Sequence, residues 1–549
     1  MPIWKFIDHW RERPVMTAAS HIQTTFRHAA VYSGASILSR IVGFLMLPVY
    51  SHYLRGEGYG IIGMIDVVLS IMTLVVGYGI AGAMGRFYFE QKTEQERKTL
   101  VSTTMALMLG LVVLVSSPVL IFHESVAWLA LGSREYGYYL VIAALAFICE
   151  MSAKAPEAYI LLRQKPFLIS FLSLGRLVLG LSLNIYLIVS LEMGVLGYLY
   201  SSLITGIVTT VVMHGYALYH VGLGFDKKVI DKILRFSLPL LPGYLAMFIR
   251  GNADRVILRT SLGLAQLGAF EMLFKFATLL GVLIVEPFSK IWNVKRYEIC
   301  DSPEGPETMA RMFSLQMALM LFFGLILSLE IPLLLRVMTP PEFWLGGGIV
   351  LLAVVSRILN AAYQQVSFGL IYAKKTFNIS VIQGVTATLS IGFNFLLIPR
   401  YGIFGAVSAS CLVALCQCAM AHFMSHNYYR IPFQWGKIAQ MTIAAATIYM
   451  LIDPISVDSF GLSHWLNQTL MPNVASVMKS LHLDEIKNGK LLLYVTNNIP
   501  LVVEGGIKLL LAFSFMSVLL FMGIIPRHIF SRLLSWQVLR HPLRAFGGR

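Results

Sequence analysis

Long apolar runs recur along this chain from its first tenth to its last. They begin near residues 29, 60, 100, 137, 167, 195, 238, 268, 312, 346, 378, 402, 438 and 502. Most reach about 20 residues, enough for a helix to cross a hydrocarbon core roughly 30 Å thick. The pattern predicts an all-α polytopic membrane protein with twelve to fourteen spans. The run at 438–452 is short and reads either as a tilted span or as an interfacial helix. Composition agrees: 57% of the 549 residues are hydrophobic and 13% charged, and the mean hydropathy is +0.72.

Positive charge alternates between the connections. Arg86, Lys92, Arg97 and Lys98, then Arg163 and Lys165, then Lys227, Lys228, Lys232 and Arg235, then Lys290, Lys295, Arg296 and Arg311 fall on one side. Arg55, Arg134, Arg259, Arg336 and Arg400 are nearly alone on the other. Cytoplasmic loops retain Lys and Arg, so both termini are expected in the cytoplasm of a multi-pass cell (inner) membrane protein. The net charge of +15 is then topology signal and affinity for anionic headgroups, and no nucleic-acid partner is needed. Residues 1–28 mix Trp4, Phe6, Ile7 and Trp10 with Lys5, Arg11, Arg13 and Arg27, and read as an interfacial arm rather than a signal peptide.

Sliding the chain over itself shows a duplication. "LRGEGYGIIGM" from Leu54 aligns with "LGLAQLGAFEM" from Leu262, and "MGVLGYLYSS" from Met193 with "YGIFGAVSAS" from Tyr401, both 208 positions on. "FLIS" from Phe167 answers "FNIS" from Phe377, and "LNIYLI" around Asn184 answers "FNFLLI" around Asn394, both 210 positions on. Six spans separate the copies, an even number, so the repeats enter the membrane from the same side. The expected layout is two parallel six-helix lobes, 29–220 and 238–426, around a central cleft. A cytoplasmic amphipathic linker at 221–237 joins them, capped by Asp226 and apolar at Val229, Ile233 and Phe236. Residues 427–525 add two spans with an outside loop at about 454–500, and 526–549 form a basic cytoplasmic tail. Each match taken alone could be an ordinary small-residue packing pattern.

Ionisable groups inside apolar runs are costly and mark candidate sites. By depth, Arg40, Glu150, Arg176 and Arg357 lie near the midplane, while Lys275 and Asp66 lie in the outer halves of their spans. Lys154 stands one turn after Glu150, and Arg250 one turn before Asp254, so each is expected to pair at i+4. Arg40, Lys154, Arg176, Arg250, Arg255, Lys275 and Arg357 outnumber Asp66, Glu150 and Asp254. That surplus suits an anionic passenger, because guanidinium forks match phosphate. Arg259, Glu286, Lys290 and Arg336 lie near span ends and read as headgroup anchors.

Enzyme and metal signals are poor. No phosphate-cradling glycine loop, HExxH motif or nucleophile elbow is present, so no catalytic residue, cofactor or metal is assigned. Cys411, Cys416 and Cys418 lack zinc-type spacing, and His214, His220 and His422 sit near helix ends. Tyr186, Tyr198, Tyr200, Phe393 and Phe395 fit either sugar stacking or helix packing.

"RFSLPLLPGYLAMFIRGNADRVILRTSLGLAQLGAFEMLFKFATLL" and "SRIVGFLMLPVYSHYLRGEGYGIIGMIDVV" resemble the seventh and eighth, and the first and second, helices of a known group. This is the polysaccharide transporter branch, the Wzx-type proteins, of the multidrug/oligosaccharidyl-lipid/polysaccharide flippase superfamily. Gly60, Asp254, Arg255 and Gly268 match its recurrent positions. The resemblance covers about residues 29–425 and implies alternating access by two lobes around a cationic cavity. Its implied passenger is a polyprenyl-diphosphate-linked oligosaccharide, an O-antigen or exopolysaccharide repeat unit, with ion coupling for which Asp66, Glu150 and Asp254 are the candidates. Membrane lipids, a glycan polymerase and chain-length machinery are the implied partners. The rival readings are a lipid II or drug transporter of the same superfamily, or a membrane polymerase or ligase of lipid-linked glycans. A ligase would be expected to gather charge in its large outer loop. Here that loop holds only Lys479, Lys487 and Lys490 with Asp458, Asp484 and Glu485.

Overall fold

The structure, a computed structural model, describes residues 42–76, 79–163, 165–456 and 490–522. Arg40, the arm at 1–28, most of the 454–500 loop and the tail at 526–549 lie outside the described residues. What is described is helical throughout, and it contains no strand.

The first half of the chain forms α1 (Leu47–Val76), α2 (Ile80–Tyr88), α3 (Glu94–Ile121), α4 (His123–Leu131), α5 (Gly137–Ser152), α6 (Lys154–Leu162), α7 (Pro166–Asn184), α8 (Gly194–Val221) and α9 (Lys227–Ser237). Then come α10 (Leu241–Leu262), α11 (Leu264–Ala277), α12 (Glu286–Ile299), α13 (Gly305–Met338), α14 (Gly347–Val366), α15 (Phe368–Tyr372), α16 (Thr376–His426), α17 (Trp435–Ile452), α18 (Lys490–Ala512) and α19 (Ser514–Phe521). Local chemistry sets the boundaries. Thr93 and Glu96 close a capping box at the start of α3, each side chain accepting the other's backbone N–H at 3.2 and 3.1 Å. Asp226 caps α9 by accepting the N–H of Lys228 at 2.9 Å.

Ten described helical segments are long and apolar enough to cross a membrane, or eleven if α9 and α10, bent by 52°, count as one span. The 51-residue α16 is one of the ten, yet it supplies two crossings. At Gly402 φ is +59°, the left-handed region, and the helix doubles back there. Gly405 then lies against the Leu397 carbonyl, and Gln417 reaches Gln383, 34 positions earlier, at 3.5 Å. In an unbroken helix that separation would span about 50 Å. The same device stands 208 positions before it: Gly194, at φ +55°, opens α8, and Gly197 packs on the carbonyl of Leu187. The 18-residue α17 is not among the ten; Ile438, Met441, Ala445, Tyr449 and Ile452 bury one of its faces.

The chain separates into two compact units that divide inside α11, between Glu271 and Met272. In the first, Met84, Leu100, Met105, Ile160, Tyr216 and Ile233 build a core where α2, α3, α6, α8 and α9 meet. The apolar face of α9, with Val229 and Phe236, closes it. In the second, α13 packs against α14, α17 and α18, so the spans beyond the repeat are tied to the unit's central helix.

Candidate functional site

The first unit holds a crossing whose two sides are repeat mates. Gly60 of α1 faces the backbone carbonyl of Leu264, and Gly268 of α11 faces the carbonyl of Gly56, each so tightly that an added methyl group would overlap the oxygen. Residues 56 and 60 are the mates of 264 and 268. The same glycine of the repeat thus stands on both sides of one contact. One turn on, the symmetry is broken. Gly63 is the mate of Glu271, and a Cβ at Gly63 would stand 3.0 Å from the Glu271 side chain. The missing side chain on α1 makes the space for the carboxylate on α11.

Glu271 is taken by Arg255. Its Oε1 accepts from Arg255 Nε in a short bond, and Oε2 accepts from Nη2 at 3.4 Å, while Arg255 Nη1 donates to the Gly251 carbonyl at 2.6 Å. The two side chains are 25% and 14% exposed, so the pair is largely withdrawn from solvent. Asp254 Oδ1 accepts the backbone N–H of Arg255 at 2.8 Å. Asp66 acts electrostatically on both Arg255 and Tyr198, and Glu150 acts on Tyr198 as well, so α1, α5, α8 and α10 bring these charges into one neighbourhood. Arg176 of α7 donates to Glu150 Oε1 at 2.8 Å, and both side chains stay about two-fifths exposed. This pair is the accessible one.

One pairing differs from those read off the helical period, and one partner was not foreseen. Lys154 bonds Glu157 at 3.0 Å rather than Glu150, because it opens α6 after the break at Ala153 and Glu150 is already engaged across helices by Arg176. Arg255 meets Glu271, a carboxylate that the depth count missed because it sits in a run called apolar. Glu157 and Glu271 together narrow the cationic surplus. Arg250 lies two turns before Leu258 on α10, half-buried. Arg259, read as a headgroup anchor, donates to the Trp128 carbonyl at 3.3 Å, which places a cation at the C-terminal end of α4.

In the second unit Arg357 of α14 stands over the Phe274 ring at 4.6 Å, a cation–π contact. Lys275 follows on α11 and is exposed. The sequence reading passed over a buried group here: Lys508 bonds Glu504 at 2.9 Å and the Asp453 carbonyl at 3.0 Å, and Gly505 leaves room for the Glu330 carboxyl. A Lys and two Glu in apolar helices were visible signals in the sequence. Of the aromatic candidates, Tyr186 and Phe395 are exposed, and Tyr200 shares a 2.6 Å hydrogen bond with Tyr138. Among the described residues no three His, Cys, Asp or Glu side chains group as metal ligands.

The resemblance drawn from the sequence is borne out by comparison with known proteins. Residues 51–293 match the polysaccharide biosynthesis protein family. A relative from Haemophilus influenzae, "Lsg locus putative protein 1", is 24% identical over 47% of this chain and 63% of its own length. The succinoglycan biosynthesis transport protein ExoT of Rhizobium meliloti is 22% identical over 48% of this chain and 52% of its own. The chain thus spans between half and two-thirds of the curated relatives it matches. Among solved structures, the lipid II flippase MurJ in an inward closed conformation aligns with a TM-score of 0.69 at 12% identity, over 90% of this chain and 99% of that one. An inward-facing multidrug resistance MATE family transporter of the MOP superfamily aligns at 0.57 with 14% identity, over 73% and 95%. The fold is therefore the MurJ/MATE transporter fold, and the match to MurJ extends past the duplicated part.

Proposed function

We propose that this multi-pass membrane protein is a flippase that moves a polyprenyl-diphosphate-linked oligosaccharide across the cytoplasmic membrane by alternating access. The observation that carries the reading is the Arg176–Glu150 pair. It holds a guanidinium within a helix long and apolar enough to cross a membrane, yet leaves both side chains about two-fifths exposed, in a chain similar to polysaccharide biosynthesis and succinoglycan transport proteins. A diphosphate can replace Glu150 on Arg176, exchanging one charge-assisted pair for another and releasing the half-exposed Glu150 carboxylate.

In this reading Arg40, Lys154, Arg176, Arg250, Arg255, Lys275 and Arg357 supply positive charge along the path, and Asp66, Glu150 and Asp254 are the ion-coupling candidates. Both termini face the cytoplasm. The protein makes and breaks no covalent bond in its passenger. A glycan polymerase and chain-length machinery receive what it delivers.

The test is reconstitution into liposomes loaded with a fluorescent polyprenyl-diphosphate glycan on one leaflet. Transfer to the other leaflet, with the glycan chemically intact, is expected; no transfer, or covalent change of the glycan, overturns the reading. Arg176→Gln should reduce transfer at least tenfold without lowering the melting temperature comparably. Transfer of lipid II in preference to the diphosphate glycan would reassign the passenger.

A further inference from the structure

One end of the first unit, the end that the charge bias assigns to the cytoplasm, gathers cations from four helices around two carboxylates. Glu90, just past α2, accepts from Lys232 of α9 at 2.7 Å through Oε2, while Arg86 of α2 stands 3.8 Å from its Oε1. Glu94, in the first turn of α3, repeats the arrangement. Arg163, just past α6, donates to its Oε1 at 3.3 Å, and Arg97 of α3 stands 3.7 Å from its Oε2. Each carboxylate thus holds a cation on either oxygen, and each trio keeps a net positive charge. The neighbouring acids do not offset it: Asp231 pairs with Arg235 at 2.9 Å, Glu96 is spent on the cap of α3 and Asp226 on that of α9.

Aromatic rings hold these cations in place without adding negative charge. Lys232 Nζ is 4.2 Å from the centroid of the Phe87 ring, and the guanidiniums of Arg86 and Arg97 are 5.2 and 5.5 Å from those of Phe236 and Tyr88. The cations stay accessible: the side chains of Arg97 and Arg163 are each 35% exposed, and those of Arg86 and Lys232 more so. Two guanidiniums flanking one carboxylate carry more N–H donors than it can use, and a phosphate can bridge them from the solvent side. The same end carries apolar side chains that a soluble anion would not need. The 222–226 segment is fixed against α3, with the Gly224 N–H donating to Ser102 Oγ at 2.9 Å and that of Asp226 to Thr103 Oγ1 at 3.0 Å. It leaves Leu223 93% and Phe225 62% exposed. Cations beside protruding apolar groups, at the ends of membrane-crossing helices, suit a headgroup boundary.

We infer that this end of the first unit binds an anionic phospholipid, its headgroup phosphate lying across Arg97 and Arg163, with Arg86 and Lys232 as a second cationic contact. Leu223 and Phe225 anchor the same end in the lipid. The bound headgroup neutralises the surplus and ties α9, the helix between the repeats, to α2, α3 and α6. Glu90 and Glu94 limit the surplus, so they oppose binding while they hold the cations in place. The site does not depend on the flippase reading.

The experiment uses the purified full chain in detergent and reads bound lipid by native mass spectrometry as dioleoylphosphatidylglycerol or dioleoylphosphatidylcholine is titrated in. The anionic lipid is expected to bind about tenfold more tightly, or ~1.4 kcal/mol, and the preference to shrink as salt rises. Arg97→Gln combined with Arg163→Gln should remove most of the preference, and Arg86→Gln with Lys232→Gln part of it. Glu94→Gln, which frees both guanidiniums, should strengthen it. Lys295→Gln with Arg311→Gln takes the same charge from one-to-one pairs in the second unit and should leave the preference nearly unchanged. If the Arg97 and Arg163 double variant does not fold, Glu94→Gln and the Arg86 and Lys232 double variant carry the test. Equal binding of the two lipids, an equal loss in the second-unit variant, or weaker binding in Glu94→Gln overturns the inference. So does displacement of the lipid by an equal concentration of inorganic phosphate, which would make the ligand a free anion.

Discussion

Gly60 and Gly268, repeat mates 208 positions apart, each face the other's copy of the repeat: one lies on the carbonyl of Leu264 and the other on that of Gly56. Helices approach this closely only where the residue that faces the carbonyl lacks a side chain. Gly60→Ala and Gly268→Ala should each lower stability by roughly 1–3 kcal/mol, the usual cost of overpacking. Thermal melting in detergent checks this, with Gly82→Ala as a control, since nothing lies within 4 Å of a Cβ added at Gly82. If the crossing opens during transport, Gly268→Ala should also change the rate.

Arg55 has φ 58° and ψ −178°, a conformation nearly reserved for glycine, and its repeat mate is Gly263 at φ 85°. Arg55→Gly should therefore stabilise the protein by about 1–3 kcal/mol, while Gly263→Ala should destabilise it. A melting temperature unchanged or lowered by Arg55→Gly would show that the arginine side chain offsets the strain.

The Arg255–Glu271 pair is mostly buried, so removing one partner strands the other. Arg255→Ala and Glu271→Gln should each cost about 3–5 kcal/mol, and the double variant distinctly less than their sum. A double-mutant cycle by denaturant or heat measures the coupling. Additive losses would mean that the pair contributes nothing specific.

Phe274→Leu removes the ring beneath Arg357 while keeping an apolar side chain. Because Phe274 is buried, part of the loss is packing; the cation–π part, about 0.5–2 kcal/mol, is the amount by which the loss should shrink when Arg357 is already Gln. Phe274→Tyr should retain most of the contact. Melting of the three variants decides.

Gly402 lets α16 double back. Its φ of +59° with ψ −135° is closed to a residue with a Cβ, so Gly402→Ala should cost at least 1–2 kcal/mol, and Gly392→Ala, open on all sides, almost nothing. Limited proteolysis at the turn gives an independent readout.

Much of the site was legible because membrane depth and charge are one-dimensional properties. Glu150, Arg176, Arg255 and Arg357 were singled out from apolar runs alone, and all four take part in specific contacts. Their partners were not legible. Helical periodicity offers Glu150 to Lys154, but a break at Ala153 and a neighbouring helix give it to Arg176 instead. Glu271 answers Arg255 from 16 positions away, across a turn at Gly263.

By itself, the sequence determined that the chain is helical, membrane-spanning and duplicated, since hydropathy, charge bias and offset are written along it. It also marked Gly60 and Gly268. Only the tertiary structure decided what those glycines touch and which carboxylate holds which arginine. A charge's partner is fixed by distances between helices, and those depend on every side chain packed between them.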